Sequence, residues 1–318
     1  MVQPIRIFLG DLTYDTIGMS TEVFPLNVGY IAAYCKKRFG SKVDITIFKY
    51  IDELENSIYE NPPDVLGLSN YVWNYRIGLE MFNLVRSQNS NVITVWGGPN
   101  FPQDLESQQI FMKNCSNIDF YVPIEGEVGF SNIIEETLNI SELDYKKEIL
   151  FKKPIDGCIS RNPDGSLQFS IPQIRTKELD EIPSPYLTGL MDKFFDGKLT
   201  PMIQTNRGCP FTCTFCVDGA DTVNLVNQFG LDRVSSELDY IAEHVSGNIH
   251  GLHISDLNFG MYPRDLEICD GIVNIQKKYN YPTRVLSTTG KNKKERIIQA
   301  IERLNGTMSL TMSVQSMD

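Results

Sequence analysis

The sequence predicts an α/β protein in two parts, a parallel sheet covered on both faces by helices and then a partial β/α barrel. Three observations carry that prediction. Short β-rich runs alternate with amphipathic helices over the first 140 or so residues. A Pro- and Gly-punctuated stretch then interrupts the alternation, and a second β/α series begins after residue 200. Internal repeats, heptads and low-complexity tracts are absent.

In order, the first five strands are expected over residues 5–9, 43–48, 65–69, 92–96 and 120–122, each followed by a helix. The first helix shows its period through Val28, Ile31, Ala32, Cys35 and Phe39, so Cys35 reads as a small core residue. This arrangement is flavodoxin- or Rossmann-like, and ligands of such sheets sit beyond the carboxyl ends of the strands. The loops there read GDLTYD, SNYVWN, WGGPNFP and IEGE. They offer Asp11, Ser69, Tyr71, Gly97, Gly98 and Glu125 as candidate ligand contacts. Gly97 and Gly98 have no Cβ and admit a bulky ligand close to the backbone, or simply form a tight turn. Tyr71, Trp73 and Tyr75 suit a flat ligand and equally suit a core. Glu125 and Glu127 fit a solvated helix start as readily as a site.

Residues 146–199 read as a linker with a β-hairpin, because NPDG at 162–165 is a turn signal between two extended runs and EIPSPYLTG comes after it. The second series has strands expected at 202–205, 252–255, 285–288 and 308–313, with helices near 232–245, 264–279 and 294–304. Four strands are too few for a closed eight-unit barrel, which takes about 250 residues. The domain expectation is therefore 1–145, 146–199 and 200–318, the last an incomplete core of four strands.

Composition narrows the chemistry. A net charge of −11 argues against a nucleic-acid surface and favours a small-molecule substrate. No apolar run reaches membrane-spanning length, and the first residues lack the pattern of a signal peptide, so a soluble cytoplasmic protein is expected. Seven cysteines in that compartment are not expected to pair as disulfides.

Three of them stand in NRGCPFTCTFC, residues 206–216, as Cys209, Cys213 and Cys216. At a cysteine frequency of about 0.02, roughly 0.003 occurrences of this spacing are expected by chance. The loop contains Gly and Pro and comes after a strand, where backbone can wrap around a metal. A structural zinc site would need a fourth Cys or His, and none is close. Cys269 falls on an apolar helix face with Leu266, Ile272 and Val273, and Cys158 lies beside the hairpin turn. Three thiolates are what a [4Fe-4S] cluster uses when one iron stays open, since closed clusters take four.

CxxxCxxC after a strand, with Pro and aromatics inside, resembles the cluster motif of the radical S-adenosylmethionine superfamily. The resemblance implies Cys209, Cys213 and Cys216 as cluster ligands, S-adenosylmethionine on the open iron, and cleavage to a 5′-deoxyadenosyl radical. It places Phe215 at the adenine. The stretch that usually holds the methionine amine reads HISDLNFG here, which departs from the family pattern and leaves Asp256 and Asn258 as its polar groups. Ser287, Ser313 and Gln315 come after the third and fourth strands, where the family contacts methionine and ribose; each also fits an ordinary loop residue.

A parallel-sheet domain ahead of this motif is similar to the cobalamin-binding domain of the class B radical enzymes, and the two resemblances cover nearly the whole chain. They imply cobalamin contacts at Asp11, Ser69, Tyr71, Gly97, Gly98 and Glu125, and a reducing electron donor such as flavodoxin or ferredoxin. The three histidines, His244, His250 and His253, all lie beyond residue 240, so the first domain has no imidazole for cobalt. His253 reads as a satisfied strand residue. The expected activity is methyl transfer from methylcobalamin to an unactivated carbon or a phosphorus centre. Alternatives are a non-methylating radical rearrangement or oxidation with the same cofactors, an electron-transfer protein, and an inactive fragment.

Overall fold

The computed structural model describes all residues except 1–2, 16–17, 20, 141–148, 163, 171–174, 215, 220–223, 291 and 310–318. It divides into two compact units, residues 1–21 with 27–175, and residues 22–26 with 176–318.

The first unit is built on β1 (Ile5–Thr13), β2 (Val43–Tyr50), β3 (Val65–Ser69), β4 (Ile93–Gly97) and β5 (Phe120–Val122), all parallel. Between them lie α1 (Leu26–Phe39), α2 (Ile51–Glu60), α3 (Tyr75–Gln88) and α4 (Leu105–Asn114), and α5 (Gly126–Asn139) comes after β5. All five residues of β3 are buried, as helices on both faces require of a central parallel strand. The order 2-1-3-4-5 reverses between β1 and β3, which is where a sheet of this order opens a crevice at its carboxyl edge. In α1, Val28, Ala32 and Cys35 are buried while Ile31 and Phe39 are half-buried, and burial pushes the Cys35 thiol well up.

The hairpin expected at the NPDG turn forms from β6 (Ile159–Arg161) and β7 (Leu167–Phe169), closed by Gly165 at φ +84°. It is not a free linker. β6 pairs antiparallel with β5, so the pair extends the sheet to seven strands, and Arg161 donates to the carbonyls of Met112, Ser116 and Ile118. Residues 176–199 of the expected linker belong to the second unit. Leu179, Ile182, Tyr186, Met191, Phe194 and Leu199 are each at most 1% exposed. The Tyr186 hydroxyl donates to the Met202 carbonyl at 2.7 Å and accepts from the Met202 amide at 3.2 Å. Proline-rich segments read as connectors, but this one brings enough apolar side chains to fold into the core of the second unit.

In the second unit, β8 (Met202–Ile203), β11 (Gly251–Phe259) and β12 (Arg284–Thr289) form a parallel sheet in the order 12-11-8. The short pair β9 (Asn206–Arg207) and β10 (Asn227–Gln228) is antiparallel. Helices α6 (Leu231–His244), α7 (Arg264–Tyr279) and α8 (Lys294–Arg303) cover the sheet where the sequence places them. Of the expected fourth strand, Met308 makes a parallel bridge to Val285, and residues 310–313 lie outside the described residues.

Candidate functional site

At the switch point of the first sheet lies a buried polar group that the sequence shows only in part. Lys49, at the end of β2, is 0% exposed and donates to Asp11 at 3.0 Å and to Thr21 at 3.1 Å. The other Asp11 oxygen accepts from the Ser69 hydroxyl, and Asn74 Nδ2 donates to Ser69 Oγ at 3.0 Å. Asn74 Oδ1 in turn accepts from the Tyr71 amide at 2.8 Å. A buried ammonium and carboxylate must pair to offset the loss of water, and here the groups bonded to them tie down the turn after β3.

That turn presents an aromatic surface. Tyr71 and Trp73 stack at 4.6 Å and 7° between planes, with Trp73 46% and Val72 79% exposed. Val72 and Trp73 border an open cleft of about 640 Å³, lined also by Tyr14, Tyr75, Arg76 and Phe101, among others. Tyr14 comes after β1, residues 72–76 after β3, and Phe101 after β4, so the cleft sits at the carboxyl edge. Exposed apolar side chains around a concavity are the usual mark of a ligand site.

The other predicted contacts are placed differently. Asp11 and Ser69 are buried in the Lys49 group. Gly98, at φ +125°, lies so near Asn70 that a Cβ would stand 2.7 Å from that residue's carbonyl oxygen, and a Cβ on Gly97 would stand 3.0 Å from the Val122 carbonyl oxygen. The reason for both glycines is therefore the approach of the protein's own backbone. Fully buried Asn70 clamps the same loop, donating to the Asn100 carbonyl at 2.8 Å and to Tyr121 Oη at 3.1 Å. Glu125, 8% exposed, pairs with Arg175 at 2.9 Å, not with solvent. Lys49, Asn70 and Asn74 escape sequence reasoning. The available signal is a lysine ending the otherwise apolar run ITIF of β2.

In the second unit, Cys209 and Cys213 are half-buried and Cys216 is exposed. Cys35, Cys115, Cys158 and Cys269 are buried, and burial pushes the Cys269 thiol up to about 12. The loop turns at Cys213, whose carbonyl accepts from the Cys216 amide at 3.0 Å, and a single 3₁₀ turn comes next, with the Gly219 amide bonded to the Cys216 carbonyl at 3.1 Å. A Cβ on Gly219 would collide with the Cys213 carbonyl. Among the described residues, no three His, Cys, Asp or Glu side chains converge on one point as a mononuclear metal would require. The donor set is three thiols spread along one loop, with no fourth ligand supplied among the described residues. After β11, the Tyr262 hydroxyl is buried without a hydrogen-bond partner among the described residues, and burial, helped by the charges of Asp265 and Cys209, holds its phenol up at about 12. Such a donor set fits a cluster bound by three thiolates.

Asp256 is 2% exposed and wholly engaged. One oxygen accepts from the Thr205 amide at 2.7 Å and the Asn206 amide at 3.3 Å, and the other from Asn206 Nδ2 at 2.7 Å and the Thr205 hydroxyl. It anchors the entry to the cysteine loop, and its oxygens are taken up there and not free for the amine binding expected of it. Asn258 donates to Cys209 Sγ at 3.3 Å. Ser287 is half-buried on β12. Phe215, Ser313 and Gln315 lie outside the described residues. His253 is not satisfied as expected, for its Nδ1 is buried without a partner among the described residues, and burial lowers its pKa.

Comparison with known proteins adds four findings. Residues 16–134 match the B12 binding domain family. The chain is 30% identical over 319 residues to the cobalamin-dependent radical SAM methyltransferase TokK of Streptomyces tokunonensis, covering 95% of this chain and 44% of that one. It is 29% identical over 318 residues to the 2-(S-pantetheinyl)-carbapenam-3-carboxylate methyltransferase of Streptantibioticus cattleyicolor, with the same coverage. The chain thus spans less than half the length of these curated relatives. The apo structure of the cobalamin-dependent S-adenosylmethionine radical enzyme OxsB superposes with a TM-score of 0.65 at 18% identity, over 95% of this chain and 42% of that one, a likeness of fold. No described helix is long and apolar enough to cross a membrane.

Proposed function

We propose that this chain, a relative of the cobalamin-dependent radical S-adenosylmethionine methyltransferases, is the cofactor-binding portion of an enzyme that methylates a small-molecule substrate. The observation that carries the reading is the pairing of two sites in two separate units, the aromatic cleft at a sheet switch point and a three-thiol loop beyond β8. Cys209, Cys213 and Cys216 hold a [4Fe-4S] cluster. Cobalamin occupies the cleft of the first unit, against Trp73, Val72 and Tyr71.

When bound, the cluster with S-adenosylmethionine supplies a 5′-deoxyadenosyl radical and cobalamin supplies a transferable methyl group. The protein's own residues do the positioning. Asp256 fixes Thr205 and Asn206 so that the cysteine loop leaves the strand in one direction. The Lys49–Asp11 pair and Asn74 hold the Tyr71–Trp73 turn against the cleft. No histidine in the first unit can ligate cobalt, because all three lie beyond residue 240.

The test is anaerobic reconstitution with iron, sulfide and cobalamin. The protein is expected to take up about four irons, as a cubane requires, and one cobalamin. Replacing the three loop cysteines with Ala should abolish iron uptake, and with S-adenosylmethionine and a reductant the parent should release 5′-deoxyadenosine. Unchanged iron in the triple variant, or 5′-deoxyadenosine from a protein without cluster iron, would sink the assignment. In the full-length enzyme, a product heavier by one methyl group separates methylation from rearrangement.

A further inference from the structure

The end of β11 carries an amide to the sulfur of the first loop cysteine. Asn258 is 6% exposed, and its Nδ2 donates to Cys209 Sγ at 3.3 Å. It is held firmly from both sides along the chain. Asp256, two residues earlier and so on the same side of the strand, is fixed by four donors from Thr205 and Asn206. After Asn258 the chain turns, with the Met261 amide bonded to the Asn258 carbonyl at 3.2 Å. Tyr262 is next, its amide bonded to Asp265 at 2.9 Å. One amide is thus already on the sulfur of Cys209.

We infer that Asn258 is a positioning residue that tunes the reduction potential of the iron–sulfur cluster by donating a hydrogen bond to the Cys209 thiolate. The inference rests on the cluster assignment above and goes beyond it. It also gives Asn258 a role other than the S-adenosylmethionine contact expected from sequence. A donor on a ligating sulfur draws off negative charge, and it does so more effectively once the cluster is reduced, because a charged acceptor makes the stronger bond. The reduced state is therefore favoured and the potential raised. One electron enters from a low-potential reductant; no covalent bond forms or breaks and no proton is required.

The experiment is a dithionite titration of reconstituted protein without S-adenosylmethionine, monitored by electron paramagnetic resonance, with iron counted in every sample. Asn258→Leu removes the donor at similar size, Asn258→Ala removes it with less bulk, and Tyr262→Phe removes only the hydroxyl. With parent-like iron, Asn258→Leu should lower the reduction equilibrium about tenfold, a midpoint more negative by about 59 mV for one electron. Tyr262→Phe, a control at a hydroxyl with no bond to that sulfur among the described residues, should leave it at the parent value. Should the Leu side chain expel the cluster, Asn258→Ala decides. A parent-like midpoint in the variant that keeps its iron overturns the inference, and so does loss of iron from both Asn258 variants, which would mean assembly, not tuning. A parent midpoint with weakened S-adenosylmethionine binding would return Asn258 to the role of a ligand contact. If the parent itself takes up no iron, the cluster assignment fails first.

Discussion

A carboxylate removed from water needs donors, and Asp256 has four of them, yet burial still pushes its pKa from 3.8 up to about 6. Asp265 is raised to about 6 for the same cause. A raised carboxyl keeps a proton in the folded state that the unfolded chain has released. Its contribution to stability is full below the ordinary value and is lost as pH rises through about 6. The apo protein is therefore expected to lose stability between about pH 4 and pH 6, and Asp256→Asn should make that loss shallower while leaving the share due to Asp265. The same variant should cost about 1–3 kcal/mol at neutral pH, since an amide cannot accept from donors on both sides. Urea denaturation at about pH 4 and pH 7 measures both effects; an unchanged slope would refute the role of Asp256. Lys49 offers a second case. Lys49→Met leaves Asp11 buried and uncompensated, an expected loss of about 3–5 kcal/mol, whereas Lys49→Met with Asp11→Asn should recover part of it. Sequence reasoning finds Asp11 and misses Lys49, because a partner 38 positions away leaves no mark on local pattern.

Glycines at element ends separate two kinds of loop. In the sequence Gly98 reads as an opening for ligand, but its left-handed φ and its closeness to Asn70 are demands of the fold itself. Gly98→Ala is expected to destabilise the first unit by about 1–3 kcal/mol or more, as strained backbone does, even without cobalamin, and a thermal melt of the apo protein tests this. Gly219 acts on the cysteine loop instead. Gly219→Ala should leave the melt close to that of the parent, because none of the described loop residues from Cys209 to Gly219 is buried, while reducing iron retained after gel filtration; retention equal to the parent would show that the loop tolerates the shift. The strands are legible as apolar runs and the helices as periodic ones, so their expected bounds fall near those observed. The segment 176–199 is not, since Leu179, Ile182, Tyr186 and Phe194 stand at helical spacing while Pro183 and Pro185 interrupt any helix, and they fold only against a core that lies elsewhere in sequence.

At the scale of the molecule, the chain carries two compact units, each with its own sheet, and the proposed cofactors fall one to each. The cysteine motif is legible because three thiols in eight residues need no tertiary information, whereas the cleft depends on loops after three separate strands. Sites that share no residue are expected to contribute independently. Trp73→Ala, which removes an exposed ring and little core, should lower cobalamin affinity at least several-fold through lost stacking area while leaving iron at the parent level. The triple cysteine variant should do the reverse. Bound with its own base displaced and with no histidine in the first unit to replace it, cob(II)alamin should give an electron paramagnetic resonance spectrum without nitrogen splitting in both the parent and the cysteine variant. Iron content, cobalamin stoichiometry and that spectrum, measured on the same two variants, decide the matter. If Trp73→Ala loses iron, or the cysteine variant loses cobalamin, the two sites are coupled and the proposed division of labour between the units is wrong.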